Sequence, residues 1–369
     1  MADLPHSAPV VVVGAGVMGT STLHHLVRAG CEAPVMIERD TIAAGSTSKA
    51  AGGFRAQFSD ALNIRIALRS IAALERFGED PGYEIDFKQW GYLFLLREGE
   101  VPGFEAAIAL QNGLGVPSRL LTPEEAGAMV PGIRTDDLAA AAFCGMDGYA
   151  TPEAVAAGYA RAAADGGGRI VQGCEVLRIV VDGGRVTGVE TTQGTVATDT
   201  VVLAAGVWGV ELAAGVGLGL PVRREQRHVW FTGPDPLVRE LPLTIDFATS
   251  FYFHREGDRL LFGGREQTLD DLAPHAVNRL PLIEGLGVRP GWWGWYGMSP
   301  DHNAIVGAAA DPEGLLYACG FSGHGFQQGP VMGEYLAALA LGLDPPLDLT
   351  ALSVDRFASG ALRPEGAVV

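Results

Sequence analysis

The chain has 369 residues, 48% of them apolar, and 43 acidic against 26 basic side chains, for a formal charge of −17. That length and apolar content suffice for about two domains with buried cores and exclude a disordered chain. The acidic excess excludes a nucleic-acid-binding surface, which needs a dense field of Lys and Arg, and Arg223-Arg224 is the only adjacent basic pair.

The four cysteines, Cys31, Cys144, Cys174 and Cys319, show no C-x-x-C spacing and no neighbouring His cluster. Neither a disulfide framework nor a metal site is expected, and a reducing cytoplasm is the expected compartment. Leu4–Val27 contains no Lys, Arg, Asp or Glu. Asp3 stands where a signal peptide needs basic residues, and prolines and glycines break the run, so no signal peptide or membrane span is expected.

The first element is predicted from PVVVVGAGVMGTSTLHHLVRAG: a buried strand over Val10–Val13, a tight turn, and a helix to about Ala29. Gly14, Gly16 and Gly19 have the G-x-G-x-x-G spacing of a dinucleotide site. The first glycine permits the turn, the second lets backbone approach a pyrophosphate, and the third allows close helix–strand packing. A second strand, APVMIERD, ends in Glu38, 24 residues after Gly14. Its carboxylate is placed to accept from a ribose, and it disfavours NADP, whose 2′-phosphate it would repel.

A small-residue segment, TIAAGSTSKAAGGFR, then leads to a predicted helix from about Leu62 to Phe77. FKQWGYLFLLREGE reads as a strand, and PGFEAAIALQNGLG and TPEEAGAMVP as helices. Another helix starts near Pro152, and short strands with turns at Asp182-Gly183-Gly184 and Gln193-Gly194 follow. The strand Thr200–Ala204 enters Ala205-Gly206 as a central strand of a parallel sheet would. RHVWFTG, SFYFHREGDRLLFGG and GWWGWYGM are aromatic strands of an expected antiparallel sheet. GLLYACG is a last strand, followed by the loop GFSGHGFQQG and a helix over about Val331–Leu341.

This order predicts an α/β fold with a Rossmann-like FAD-binding domain interleaved with a substrate domain on a mainly antiparallel sheet. The expected FAD-binding segments are 1–85, 147–220 and 291–369, and the expected substrate-binding segments are 86–146 and 221–290. An NAD enzyme usually keeps its Rossmann unit contiguous, whereas FAD is long enough to need several segments.

With both glycine loops and the Ala204-Ala205-Gly206 strand end in place, the chain resembles the FAD-dependent D-amino-acid oxidase superfamily, in its sarcosine oxidase, glycine oxidase and proline/sarcosine dehydrogenase branch. The likeness runs through VVVGAGVMG…IERD, GSTSKAAGGFR, MDGYATPEAV, VVLAAGVWG, MSPDHNAIVG and GFSGHGFQQGPVMGEYL. It implies an enzyme that oxidises the C–N bond of a secondary or primary amine or amino acid to an imine, by hydride transfer to flavin N5. Oxygen or an electron-transfer partner would be the acceptor. The alternatives are a non-catalytic flavoprotein assembly factor or an electron-transferring subunit of a larger amine dehydrogenase.

The resemblance assigns FAD contacts to Gly14, Ala15, Gly16, Val17, Met18 and Gly19, and to Glu38 and Arg39. It adds Gly45, Ser46, Thr47, Ser48, Lys49, Ala51, Gly52 and Gly53 of the small-residue segment, then Glu175 and Val176. Further contacts are Ala204, Ala205, Gly206 and Trp208. Gly320, Phe321, Ser322, Gly323, His324, Gly325, Phe326 and Gln327 would wrap the flavin end.

Relatives with covalent FAD use a histidine that matches Lys49, or a cysteine that matches Gly294, so dissociable FAD is expected. The oxygen-activating lysine of sarcosine oxidases is matched by Leu261. Lys49, one of two lysines in the chain, either takes that role or contacts a carboxylate or the pyrophosphate. Arg55 is a candidate to grip a substrate carboxylate, Tyr252, Trp295 and Tyr296 to wall the pocket, and His324 to hydrogen-bond flavin or substrate. Gln327 replaces a carboxylate-binding lysine, and His228 and His254 are read as structural.

Overall fold

A computed structural model describes residues 3–234 and 240–366; the outermost residues of the expected segments, 1–2 and 367–369, and residues 235–239 lie outside them. A six-stranded sheet forms in the order Ile305–Ala308, Leu315–Cys319, Val201–Leu203, Val11–Val13, Val35–Ile37, Arg169–Val171. All neighbours pair in parallel except Ile305–Ala308 at one edge. The triplets VVV, VMI and VVL are fully buried, as strands covered by helices on both faces must be.

An eight-stranded sheet runs Val288–Met298, Arg223–Pro234, Arg259–Gly263, Tyr252–Glu256, Leu243–Asp246, Tyr92–Leu96, Ala140–Cys144, Arg119–Leu121. Its one parallel pair is Leu243–Asp246 with Tyr92–Leu96. A small antiparallel sheet, Val176–Asp182, Arg185–Thr191 and Gly194–Ala197, turns at the two glycine signals. The strand Val288–Met298 belongs wholly to the eight-stranded sheet, so it crosses the expected boundary between 290 and 291. No described helix is long and apolar enough to cross a membrane.

The first helix is Val17–Arg28 and the last long helix is Gly325–Ala340. The latter begins six residues before the expected Val331, because Gly329 and Pro330 read as stop signals in the sequence. Tertiary packing overrides them. A Cβ on Gly329 would stand 2.6 Å from Val17 Cγ2, and one on Gly333 would stand 2.2 Å from Ser21 Oγ. The glycines are therefore where the two helices cross at close range, and Ser21 Oγ donates to the Pro330 carbonyl at 3.3 Å.

Candidate active site

A cavity of about 610 Å³ runs between the two sheets, within the size range of cofactor and substrate sites. Its nucleotide end is built on the first turn. Gly14 has φ +101, and a Cβ there would lie 2.9 Å from Ala204 O and Ala205 Cα, so the loop presses against the neighbouring strand end. Gly14 N donates to Ile37 O at 2.8 Å, Ala15 N to Glu38 Oε2 at 2.7 Å, and Val17 N to Thr47 Oγ1 at 3.0 Å. Glu38 Oε1 accepts from Asp40 N at 2.9 Å. Glu38 thus fastens the glycine loop while facing the cavity. The Arg39 guanidinium lies 4.6 Å from the centre of the Trp208 ring, and both line the same end.

Of the expected cofactor contacts, Ala15, Gly19 and Ser48 do not line the cavity. Ala15 is fully buried with its N–H given to Glu38. Gly19 is the packing glycine, since a Cβ there would meet Gly14 O at 1.9 Å. Ser48 turns its hydroxyl to Gly45 O at 3.4 Å. The other expected contacts all face the cavity.

At the far end the last loop is held by strained backbone. Gly320, Ser322 and Gly323 all have positive φ (+66, +50 and +94). A serine tolerates this because its Oγ accepts from Ser299 N at 3.1 Å and donates to Gly320 O at 3.3 Å. Next to them Arg55 Nη2 meets His324 Nε2 at 3.1 Å. A guanidinium can only donate, so Nε2 must be the acceptor, and the neutral imidazole carries its proton on Nδ1. Burial and the Arg55 charge hold His324 well below the ordinary histidine range. Arg55 is itself 3% exposed; its Nη1 donates to Gln57 O and its guanidinium stacks 4.1 Å from the centre of the Phe58 ring. Its backbone N–H donates to Gln327 Oε1 at 2.6 Å. Arg55 is thus braced in the wall of the cavity, where the sequence placed a candidate grip for a substrate carboxylate.

The wall contributed by the eight-stranded sheet includes Tyr92, Tyr252, Trp295, Tyr296 and Arg227. Burial raises the phenols of Tyr92, Tyr252 and Tyr296, so all three stay protonated at neutral pH. Among the described residues, Arg227 is the only charged side chain this sheet places on the cavity. Glu225 takes its Nη1, the Tyr296 ring centre lies 5.4 Å from its Cζ, and its buried Nε has no partner. Tyr92 and Arg227 escaped sequence reasoning. The signal for Arg227 was its alternation with Val229 on a strand facing the cavity, in register with Gly294 of the aromatic strand.

Lys49 lines the cavity, is exposed, and among the described residues has no carboxylate within ion-pair distance. Gly294 is where its stem packs, since a Cβ there would stand 2.5 Å from Lys49 Cβ. Leu261 is buried in the sheet away from the cavity. His254 is buried with its Nδ1 at 2.9 Å from Arg255 O and is held near pKa 4 by burial.

Two glycine-shaped ends joined by one elongated cavity, with a ribose-side acid at one and an aromatic chamber at the other, fit an extended dinucleotide flavin. Residues 9–339 match the family described as FAD dependent oxidoreductase (DAO), and the chain belongs to this family. It is similar to L-proline dehydrogenase from P. horikoshii, at 30% identity and a TM-score of 0.91 over 98% of this chain and 100% of that one. Glycine oxidase from Geobacillus kaustophilus gives 26% identity and a TM-score of 0.85 over 95% and 99% of the two chains. Human mitochondrial sarcosine dehydrogenase is 28% identical over 96% of this chain, which spans 42% of that protein.

Proposed function

We propose that the protein oxidises the C–N bond of a secondary or primary amino acid, of the sarcosine, proline or glycine type, to an imine. One observation carries this reading: among the described residues, the aromatic wall of the cavity holds a single charged group, Arg227, and no carboxylate. Such a wall accepts an amino acid through its carboxylate and gives an ammonium group no counter-charge, so the amine binds neutral. The guanidinium edge not used by Glu225 is left for the substrate carboxylate. Bound FAD supplies the two-electron acceptor for the Cα hydrogen. The chain's own residues bind, orient and exclude water: Tyr92, Tyr252 and Tyr296 close an apolar chamber, and His324 presents a fixed Nδ1–H donor. Gly14, Gly16, Glu38 and Gly320–Gln327 would hold the cofactor, without a covalent bond.

Leu261 is turned away from the cavity while Lys49 lines it, packed on Gly294, so the acceptor is either oxygen, with Lys49 as the activating cation, or an electron-transfer partner. Relatives of both kinds occur, proline and sarcosine dehydrogenases and a glycine oxidase. The proposed division assigns the six-stranded sheet to FAD binding and the eight-stranded sheet to the substrate, with the boundary moved to place Val288–Met298 on the substrate side. The test is anaerobic bleaching of the bound flavin by sarcosine, proline, glycine and D-amino acids, then dye reduction and oxygen uptake. Failure of every amine to reduce the flavin overturns the proposal and leaves a non-catalytic flavoprotein.

A further inference from the structure

Another cavity, of about 330 Å³, shares no residue with the flavin site and lies beside the crossing of the first helix with the last long one. Its volume falls at the lower end of the range for small-molecule sites. Four helices build its wall. Arg28 ends the first helix, Arg69 lies on the helix Ala61–Glu75 and Arg76 follows that helix. Tyr159 comes from the helix Pro152–Asp165, and Glu334 from Gly325–Ala340. Three arginines around one cavity stand out in a chain of net charge −17.

Hydrogen bonding leaves this wall with a surplus of donors. Both oxygens of Asp80 are taken by Arg28 Nη1, at 2.8 and 2.6 Å, and both oxygens of Glu334 by Arg69 Nε and Nη2, at 2.8 and 2.6 Å. Arg76 gives its Nε to Ala72 O at 3.3 Å and, among the described residues, has no carboxylate within ion-pair distance. Arg28 Nε and Nη2, Arg69 Nη1 and both terminal nitrogens of Arg76 therefore have no acceptor among the described residues. A guanidinium only donates, so what the wall lacks is an anion.

His24 marks the inner end. It lines the cavity at 5% exposure, and among the described residues its ring makes no hydrogen bond. Its neighbours are the rings of His25 and Tyr159, each centred 5.1 Å away. Burial holds both histidines near pKa 4, so each ring is neutral and keeps one N–H to donate. Leaving a buried polar ring unpaired is costly, and the open side of this one is the cavity.

We propose that this cavity binds a small phosphate monoester, with its phosphate on Arg76 and the uncommitted edges of Arg28 and Arg69, and its carbon skeleton against the His24, His25 and Tyr159 rings. The three terminal oxygens of a phosphate can accept from all three arginines while Asp80 and Glu334 keep their pairs. The cavity is larger than a bare phosphate needs, and its ring-lined end suits an organic group. The bound ester ties the helix that leaves the glycine turn to the helix that follows the flavin loop.

The probe is ribose 5-phosphate, titrated by calorimetry into holoprotein saturated with FAD, so that the nucleotide cavity is filled. The wild type is expected to bind it saturably and to melt at higher temperature as its concentration rises. Arg76→Gln, at an exposed position, is expected to weaken binding by roughly tenfold to a hundredfold, the scale of a lost bond to a charged group, with the flavin spectrum unchanged. His24→Gln is expected to weaken binding as well; if that buried variant does not fold, Arg76→Gln still decides the matter. Ribose is expected not to bind. Absence of ribose 5-phosphate binding, or binding that Arg76→Gln leaves unchanged, overturns the proposal. Inorganic phosphate or succinate binding as tightly as the ester overturns the assignment to a phosphate monoester.

Discussion

Asp147 is the second residue of the chain's MDGYATPEAV segment and is fully buried. Four influences favour its ionised form: Ala56 N at 2.7 Å, Gln57 Nε2 at 3.0 Å, the nearby Arg55 charge and the Cys144 thiol. Burial outweighs them and pushes the carboxyl up to about 7. The folded protein therefore keeps a proton that the unfolded chain releases at its ordinary carboxyl value of 3.8. The stability this proton supplies is full below the unfolded value, and it is lost as pH rises toward about 7. A displacement of that size corresponds to a few kcal/mol, on the order of half of a typical domain's net stability. Asp147→Asn keeps the shape and cannot ionise. Urea unfolding of both holoproteins at about pH 5 and about pH 8 brackets the transition. The wild type is expected to lose stability relative to the variant across that interval, and all other titrations cancel in the difference. Equal pH dependence in the two proteins refutes the reasoning.

Arg227→Leu removes the cation that the eight-stranded sheet places on the cavity; kcat/KM for amino acids is expected to fall by roughly tenfold to a hundredfold, the scale of a lost charge-assisted hydrogen bond. Amines without a carboxylate are expected to lose far less, and an equal loss for both counts against the assigned role. Gly333→Ala drives a methyl to 2.2 Å from Ser21 Oγ at the helix crossing and is expected to cost about 1–3 kcal/mol, read as a lower melting temperature together with weaker FAD retention. Acid precipitation is expected to leave the yellow colour in solution, because Lys49 and Gly294 replace the residues through which covalent relatives would bond; colour in the pellet contradicts this.

The nucleotide end was legible in the sequence because its constraints are local. Gly14 and Gly16 occur at fixed spacing and Glu38 closes the second strand, so one short segment specifies the cradle. The aromatic chamber was only partly legible. Tyr252 and Tyr296 stood out in aromatic strands, whereas Tyr92 lies on a strand buried at every position and carries no alternation to mark a cavity face. Arg55 was found, but its bond to His324 was not, because the two lie 269 positions apart in sequence. The early start of the Gly325–Ala340 helix was hidden for the same reason: what makes Gly329 and Gly333 compatible with a helix is a partner near the other terminus.

That partnership has a consequence for how the protein is made. Ser21 and Pro330 touch across 309 positions of chain, so the first crossover emerges from the ribosome long before the helix that must lie on it. Until then the nascent nucleotide unit keeps an uncovered apolar flank, a state prone to association. Coenzyme capture is therefore a late event in biogenesis, and products released before residue 325 are expected to be colourless and to depend on chaperones.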